Sequence, residues 1–385
     1  MEKIVIKNIG TIVSGDINKP ILDGDSVLIE DGKIKAIGVD LVEENSDAKV
    51  IDAKGTTLTP GLIDSHVHVT IGDYAPRQKT LDFISSALHG GVTTMISAGE
   101  CHLPGRPKDP EGVKALAVLA AKSFENARPA GVKVHGGALI LEKGLVEKDF
   151  EELAKNGVWL VGEIGLGSVK KPEEAAPMVE WAHKNGFKVH MHTGGTSIPG
   201  SSTVTAADVM STKPDVVSHI NGGPTAISLK EVDAIMDETD FALEIVQCGN
   251  PKVADYVAKR ASEKGMLGRI IFGNDAPSGT GLIPLGIIRN VCQLSSVSNI
   301  APEVALCMAS GNTSKVFGLN TGVIEVGKEA DLILMDTPMG SVGADALSAI
   351  AAGDIPGISM VLVDGKVLVN KSRNTPPANT QAVLV

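Results

Sequence analysis

The sequence predicts an α/β protein, a (β/α)8 TIM barrel with a second, small β-sandwich domain formed by both chain ends. Two observations carry that expectation. In the middle of the chain, eight short apolar runs that end in glycine or polar residues alternate with segments of helical character. At the two ends, residues 1–57 and 322–370 alternate apolar and polar positions and carry hairpin turns, Asp31-Gly32 in VLIEDGKIKAIG and Asp364-Gly365 in ISMVLVDGKVLV.

Neither hairpin segment alone has enough strands for a stable core, so the two pair into one sandwich. The boundaries follow as 1–58 and 321–385 for the sandwich and 59–320 for the barrel. Beyond Ser372 the chain is polar and proline-bearing until its last residues, which predicts an extended arm. The barrel strands are LIDSHVHV, VTTMISAG, VKVHGGALI, WLVGEIGLG, KVHMHTGG, DVVSHINGG, FALEIVQCGN and RIIFGNDAPSG. In the second half, strand-end residues 163, 192, 219, 247 and 275 lie 29, 27, 28 and 28 apart, the length of one parallel βα unit. A doubly wound open sheet shares this rhythm and stays open as an alternative. PEEAAPMVEWAHKNG exemplifies the intervening helices, with Pro172 near its start and Gly186 just past its end.

Composition narrows the function. A formal charge of -11 over 385 residues argues against nucleic acid or an anionic membrane as partner, because both require basic patches. MEKIVIKNIG lacks the apolar stretch of a signal peptide, and no later segment offers 18 uncharged apolar residues, so a cytoplasmic location is expected. Cys101, Cys248, Cys292 and Cys307 lack C-x-x-C spacing, which makes a zinc ribbon or redox pair improbable.

Polar residues gather at the carboxyl ends of the strands, the face where barrels carry their active sites. His66 and His68 end the first strand, Glu163 the fourth, His192 the fifth, His219 the sixth and Asp275 the eighth. Positions i and i+2 of a strand face the same side, so His66 and His68 can both aim into the mouth. Singly, each has a structural alternative: an H-x-H on a solvated face, a carboxylate paired with a lysine, core histidines, an Asp helix cap. Their coincidence at matching strand ends favours a metal site. Four imidazoles and two carboxylates exceed what one zinc needs, so two divalent ions sharing a carboxylate is the economical expectation. A hydroxide between them would be a nucleophile at neutral pH. His190 lies two residues deeper than His192 and belongs to the packed interior. Asp64 gains no role.

TPGLIDSHVH, followed by strand-end His192, His219 and Asp275 and by GVIEVGKEADLILMD, resembles the amidohydrolase superfamily. The resemblance implies that His66, His68 and Asp275 hold one metal, His192 and His219 the other, and that the fourth strand bridges them. Dihydroorotases and dihydropyrimidinases use a carboxylated lysine there; WLVGEIG offers Glu163 and no lysine. The stretches RPAGVKVHGGA, MHTGGTSIPGSSTVTA and IFGNDAPSGTGLIPLG resemble a branch that opens a cyclic enamide. What this implies is a small carboxylated lactam as substrate, a zinc and iron centre, Asp275 as general acid and base, and a homo-oligomer, with a tetramer favoured. A substrate carboxylate calls for a guanidinium, and loop residues Arg77 and Arg106 are candidates, as solvated surface arginines are the equal alternative. Tyr74, Thr193 and Asn250 are further candidates on mouth loops. An adenine-deaminase-like activity is compatible with a bridging Glu. A metal-free scaffold role is the remaining alternative, disfavoured by the intact ligand set.

Overall fold

The computed structural model describes residues 2–69, 80–100, 103, 105–196, 202–223, 225–277 and 282–385. Eight parallel strands follow one another in chain order: Leu62–Val67, Val92–Ser97, Lys133–His135, Leu160–Ile164, Lys188–His192, Val216–Ser218, Ala242–Val246 and Ile270–Gly273. They form one sheet of three and one of five. The sheets join at both seams. Parallel bridges link Val67 to Ala276 and Leu139 to Val161, and at those seams Asp275 N–H donates to the His66 carbonyl at 3.0 Å and Gly162 N–H to the Leu139 carbonyl at 2.8 Å. After the strands come, in turn, the helices Thr80–Leu88, Pro110–Asn126, Glu147–Lys155, Pro172–Lys184, Ala206–Thr212, Leu229–Glu238, Pro251–Glu263 and Gly286–Ser298. This is the (β/α)8 arrangement, not the open sheet.

Local chemistry explains the alternation. The strands are covered on both faces and are therefore rich in apolar residues without a strict alternation; in Leu62–Val67 and Val92–Ser97 every residue is buried, the polar ones included. A typical helix buries one stripe: Pro251–Glu263 turns Val253, Ala254, Val257, Ala258 and Ala261 inward. Pro172 occupies the first turn of its helix, and Gly186 follows the end at φ 81°, the left-handed backbone that glycine adopts most easily. At the amino-terminal end of the barrel, Ile63, Ile96, Leu160, Val216, Ala242 and Ile271 close the interior around Phe317. The His190 ring stacks on Phe317 at 5.5 Å between centroids, which makes it interior packing beneath the mouth.

The chain ends supply two further sheets. One orders Val383–Leu384, Lys49–Asp52, Lys3–Lys7, Ser26–Glu30 and Lys33–Gly38; the other orders Lys366–Val369, Gly357–Val363, Leu332–Asp336, Thr57–Pro60, Thr11–Val13 and Ile21–Leu22. Amino-terminal and carboxy-terminal segments meet where Leu332 pairs with Pro60 and Met335 with Thr57. Ile6, Ile12, Ile29, Ile51, Leu58, Leu334 and Met360 share one apolar cluster drawn from both sheets. Both Asp-Gly turns have two consecutive positive φ values, 48° and 80° at Asp31-Gly32 and 47° and 72° at Asp364-Gly365, as a two-residue hairpin with right-handed strand twist requires. The carboxy-terminal arm docks on the body of the protein. Ser372 Oγ donates to the His89 carbonyl, Asn374 Nδ2 donates to the Ser86 carbonyl, and Val383 pairs antiparallel with Asp52. Among the described residues no helix is long and apolar enough to cross a membrane.

One buried charge cluster ties the barrel to the sheets of the chain ends. Lys133, on the third barrel strand, places Nζ 2.6 Å from Glu329, 2.8 Å from Asp331 and 2.7 Å from Asp364. Asp331 is buried, and Thr321 Oγ1 and the Asp364 N–H also donate to it. Removing the lysine would leave a buried carboxylate without its counter-charge. Lys133→Met is therefore expected to destabilise the fold by about 3–5 kcal/mol, read as a lower denaturant midpoint, and an unchanged midpoint would contradict this account of the junction.

Candidate metal centre

All six strand-end residues singled out from the sequence converge in the barrel mouth. Glu163 stands at the centre, with one carboxylate oxygen toward each imidazole pair. Its Oε2 lies 3.5 Å from both His66 Nε2 and His68 Nε2; its Oε1 lies 2.6 Å from His219 Nε2 and 3.8 Å from His192 Nδ1. Asp275 Oδ1 completes the first group, 3.2 Å from His68 Nε2 and 3.7 Å from His66 Nε2. The potential ligand atoms of His66, His68, Glu163 and Asp275 lie within 4.8 Å of one another, as do those of Glu163, His192 and His219.

The strands aim these groups, and the surroundings fix the rings. His68 Nδ1 lies 2.5 Å from the Gly99 carbonyl, which can only accept, so Nδ1 carries the proton and Nε2 presents a lone pair. His66 Nδ1 is 2.7 Å from Glu244 Oε2, which points its Nε2 into the same space. The two Nε2 atoms are only 3.2 Å apart, with Glu163 and Asp275 beside them. Lone pairs and carboxylates gathered this closely out of water need a cation, either a proton or a metal. Burial opposes charge on His66, yet Glu244 and Glu163 push its pKa well above the usual imidazole value. Burial likewise opposes charge on Glu163, but His66 and His219 hold its carboxyl well below the usual carboxylate range. Imidazole and carboxylate donors of this kind suit zinc, iron, manganese or cobalt, so the residues present fit a divalent metal centre. His219 and Asp275 have positive φ, 34° and 55°, a conformation uncommon outside glycine that turns both side chains over the mouth at their strand ends.

The predicted substrate contacts fare differently. Tyr74 and Arg77 lie outside the described residues. Arg106 directs Nη1 to Glu142 Oε1 at 2.7 Å, and its side chain is buried in that ion pair. Asn250 caps the helix Pro251–Glu263, its Oδ1 accepting from the Lys252 and Val253 N–H groups. Thr193 Oγ1 donates to the Ser218 carbonyl at 2.9 Å and to that of His219 at 3.2 Å, so it braces the sixth strand end.

Three acids escape sequence reasoning. Glu244 is fully buried, accepting from Ser65 Oγ at 2.5 Å and from the His219 N–H at 3.2 Å besides His66. Its only signal is a lone acid inside the apolar run FALEIV. Asp64 accepts from the His66 and Asn274 N–H groups, lashing the first strand to the eighth, and burial pushes its pKa up to about 7. Glu100, just past the second strand, is buried with both carboxylate oxygens unpaired among the described residues, and burial raises its pKa well above the usual value.

A barrel with such a donor cluster at its carboxyl-end mouth has the build of a metal-dependent enzyme. The sequence profile of the amidohydrolase family matches residues 57–368, and the chain belongs to that family, whose members work through a divalent metal centre. It is 73% identical to enamidase of Eubacterium barkeri, with all of both chains covered. A crystal structure of enamidase superposes with a TM-score of 0.98 at 72% identity, again over the whole of each chain. A 5'-deoxyadenosine deaminase of Methanobrevibacter smithii is 25% identical over 91% of this chain and 89% of its own.

Space around the cluster is tight. A Cβ on Gly273 would stand 2.6 Å from His66 Cβ and 3.2 Å from Glu244 Cδ. Gly273→Ala is therefore expected to displace His66, at a cost of about 1–3 kcal/mol in stability. Metal retained after dialysis should fall with it; wild-type retention in the variant would contradict the packing.

Proposed function

We propose that this chain hydrolyses a carboxylated cyclic enamide, 6-oxo-1,4,5,6-tetrahydronicotinate, to 2-formylglutarate and ammonia. The observation that carries the proposal is the full-length likeness to enamidase at 73% identity, and the donor set in the mouth supports it. His66, His68 and Asp275 would hold one divalent ion and His192 and His219 a second, with Glu163 shared between them; zinc and iron are the ions the resemblance implies. Ions bound there would activate a water molecule and polarise the lactam carbonyl.

The residues of the chain handle the protons. Asp275 is the general base and then the general acid. Burial works against its charge, but the adjacent His68 and His66 rings hold its carboxyl below the usual carboxylate range, and a carboxylate there can accept a proton. It takes a proton from the attacking water as the new C–O bond forms and delivers it to the ring nitrogen as the C–N bond breaks. The enamine so released tautomerises to an imine; water adds to that carbon, and ammonia leaves as the aldehyde forms. Arg77 is the guanidinium we assign to the substrate carboxylate, since Arg106 already pairs with Glu142. Tyr74 remains a candidate contact, while Thr193 and Asn250 are better read as braces of the mouth. On the same reading the protein works in the cytoplasm as a homo-oligomer of four chains, with residues 1–58 and 321–385 as one domain and 59–320 as the other.

Anaerobic assays of the metal-loaded protein should detect ammonia and aldehyde from the lactam, and no deamination of adenine or 5'-deoxyadenosine. The reverse pattern would replace the enamide by a purine. Asp275→Asn is expected to lower turnover by about 10²–10⁴-fold. Full activity in a variant whose metal analysis matches wild type would remove Asp275 from the proton path.

A further inference from the structure

The two imidazole pairs are not equivalently supported. His66 and His68 each direct Nδ1 to an acceptor, Glu244 Oε2 at 2.7 Å and the Gly99 carbonyl at 2.5 Å. In the other pair, His192 Nε2 and His219 Nδ1, the atoms turned away from the cluster, are buried with no hydrogen-bond partner among the described residues. Carboxylates divide unequally as well. Asp275, Glu163 and Glu244 all lie within 3.7 Å of a His66 ring nitrogen, whereas among the described residues Glu163 alone comes within ion-pair distance of the His192 and His219 rings. An acceptor behind a metal-binding imidazole fixes its tautomer, holds its orientation and raises its basicity, and removing one typically weakens metal binding 10–100-fold.

We propose that Glu244 is a positioning residue that makes the two metal positions unequal: the His66, His68 and Asp275 position binds tightly and fills first, and the His192 and His219 position is weaker and exchangeable. Glu244 is well built for this role. Ser65 Oγ donates to its Oε1, and Ser65 Oγ lies 2.9 Å from the Phe272 carbonyl as well. The His66 ring and the His219 N–H both meet its Oε2. Glu244, on the seventh strand, thus ties the first and sixth strands beneath the metal positions, Ser65 carries the link on to the eighth, and the missing side chain at Gly273 makes room for it. The inference rests on the metal-centre proposal above, and the experiment separates the two.

The test is titration of metal-stripped full-length protein with Zn²⁺ against a competing chelator dye, for wild type and Glu244→Gln. Gln has the same shape and keeps an oxygen facing His66 and His219, but it lacks the charge. Wild type should show two classes of site at least about tenfold apart. The variant should weaken the tighter class about 10–100-fold and leave the weaker within about threefold, with an unchanged thermal midpoint of the stripped protein as control for folding. Equal sites in wild type, no change in the variant, or equal weakening of both classes would overturn the assignment while the metal centre stands. Wild-type protein that binds no Zn²⁺ would overturn both.

Discussion

Everything in the mouth depends on Glu163. A fully buried carboxylate is tolerated only where positive charge meets it, and here its two oxygens face two different imidazole pairs. In the proposed centre, that single carboxylate reaching both ways is the ligand common to two cation positions. The other features of the mouth hold that geometry: carbonyl and carboxylate acceptors orient the first pair of rings, positive-φ backbone turns His219 and Asp275 inward, and the Gly273 hydrogen leaves room for His66.

Rigidity at that point comes from far along the chain. His66 and Asp275 are 209 residues apart in sequence, yet they are neighbours because the first and eighth strands bond across a seam, and Asp64 adds a side-chain link by accepting from Asn274 N–H. At the opposite end of the barrel, Phe317 fills the interior, and Lys133 ties the third strand to Asp331 and Asp364. A site built on strand ends over a packed interior needs little rearrangement to receive metal, which is what electrostatic catalysis requires.

The sequence displays this centre unevenly, for physical reasons. Strand ends were legible because parallel strands buried on both faces produce apolar runs with abrupt polar ends at a regular interval. His66, His68, Glu163, His192, His219 and Asp275 stand out against that background. Glu244 does not: it sits mid-run, and its partners Ser65 and His66 are 179 and 178 residues away. Arg106 looked available on a loop, but its partner Glu142 lies beyond the next strand. The terminal arm lacks a strand-like pattern because Val383 and Leu384 form only a short edge strand. Long-range pairing leaves no local trace, so outer partners of a site are harder to read than its ligands.

Anomalous diffraction from crystals of the zinc-loaded protein tests the central role of Glu163 most directly. Two peaks about 3.5–4 Å apart, each contacted by a different oxygen of Glu163, is the expected result. A single peak, or a Glu163 carboxylate turned wholly toward one pair of histidines, would contradict it.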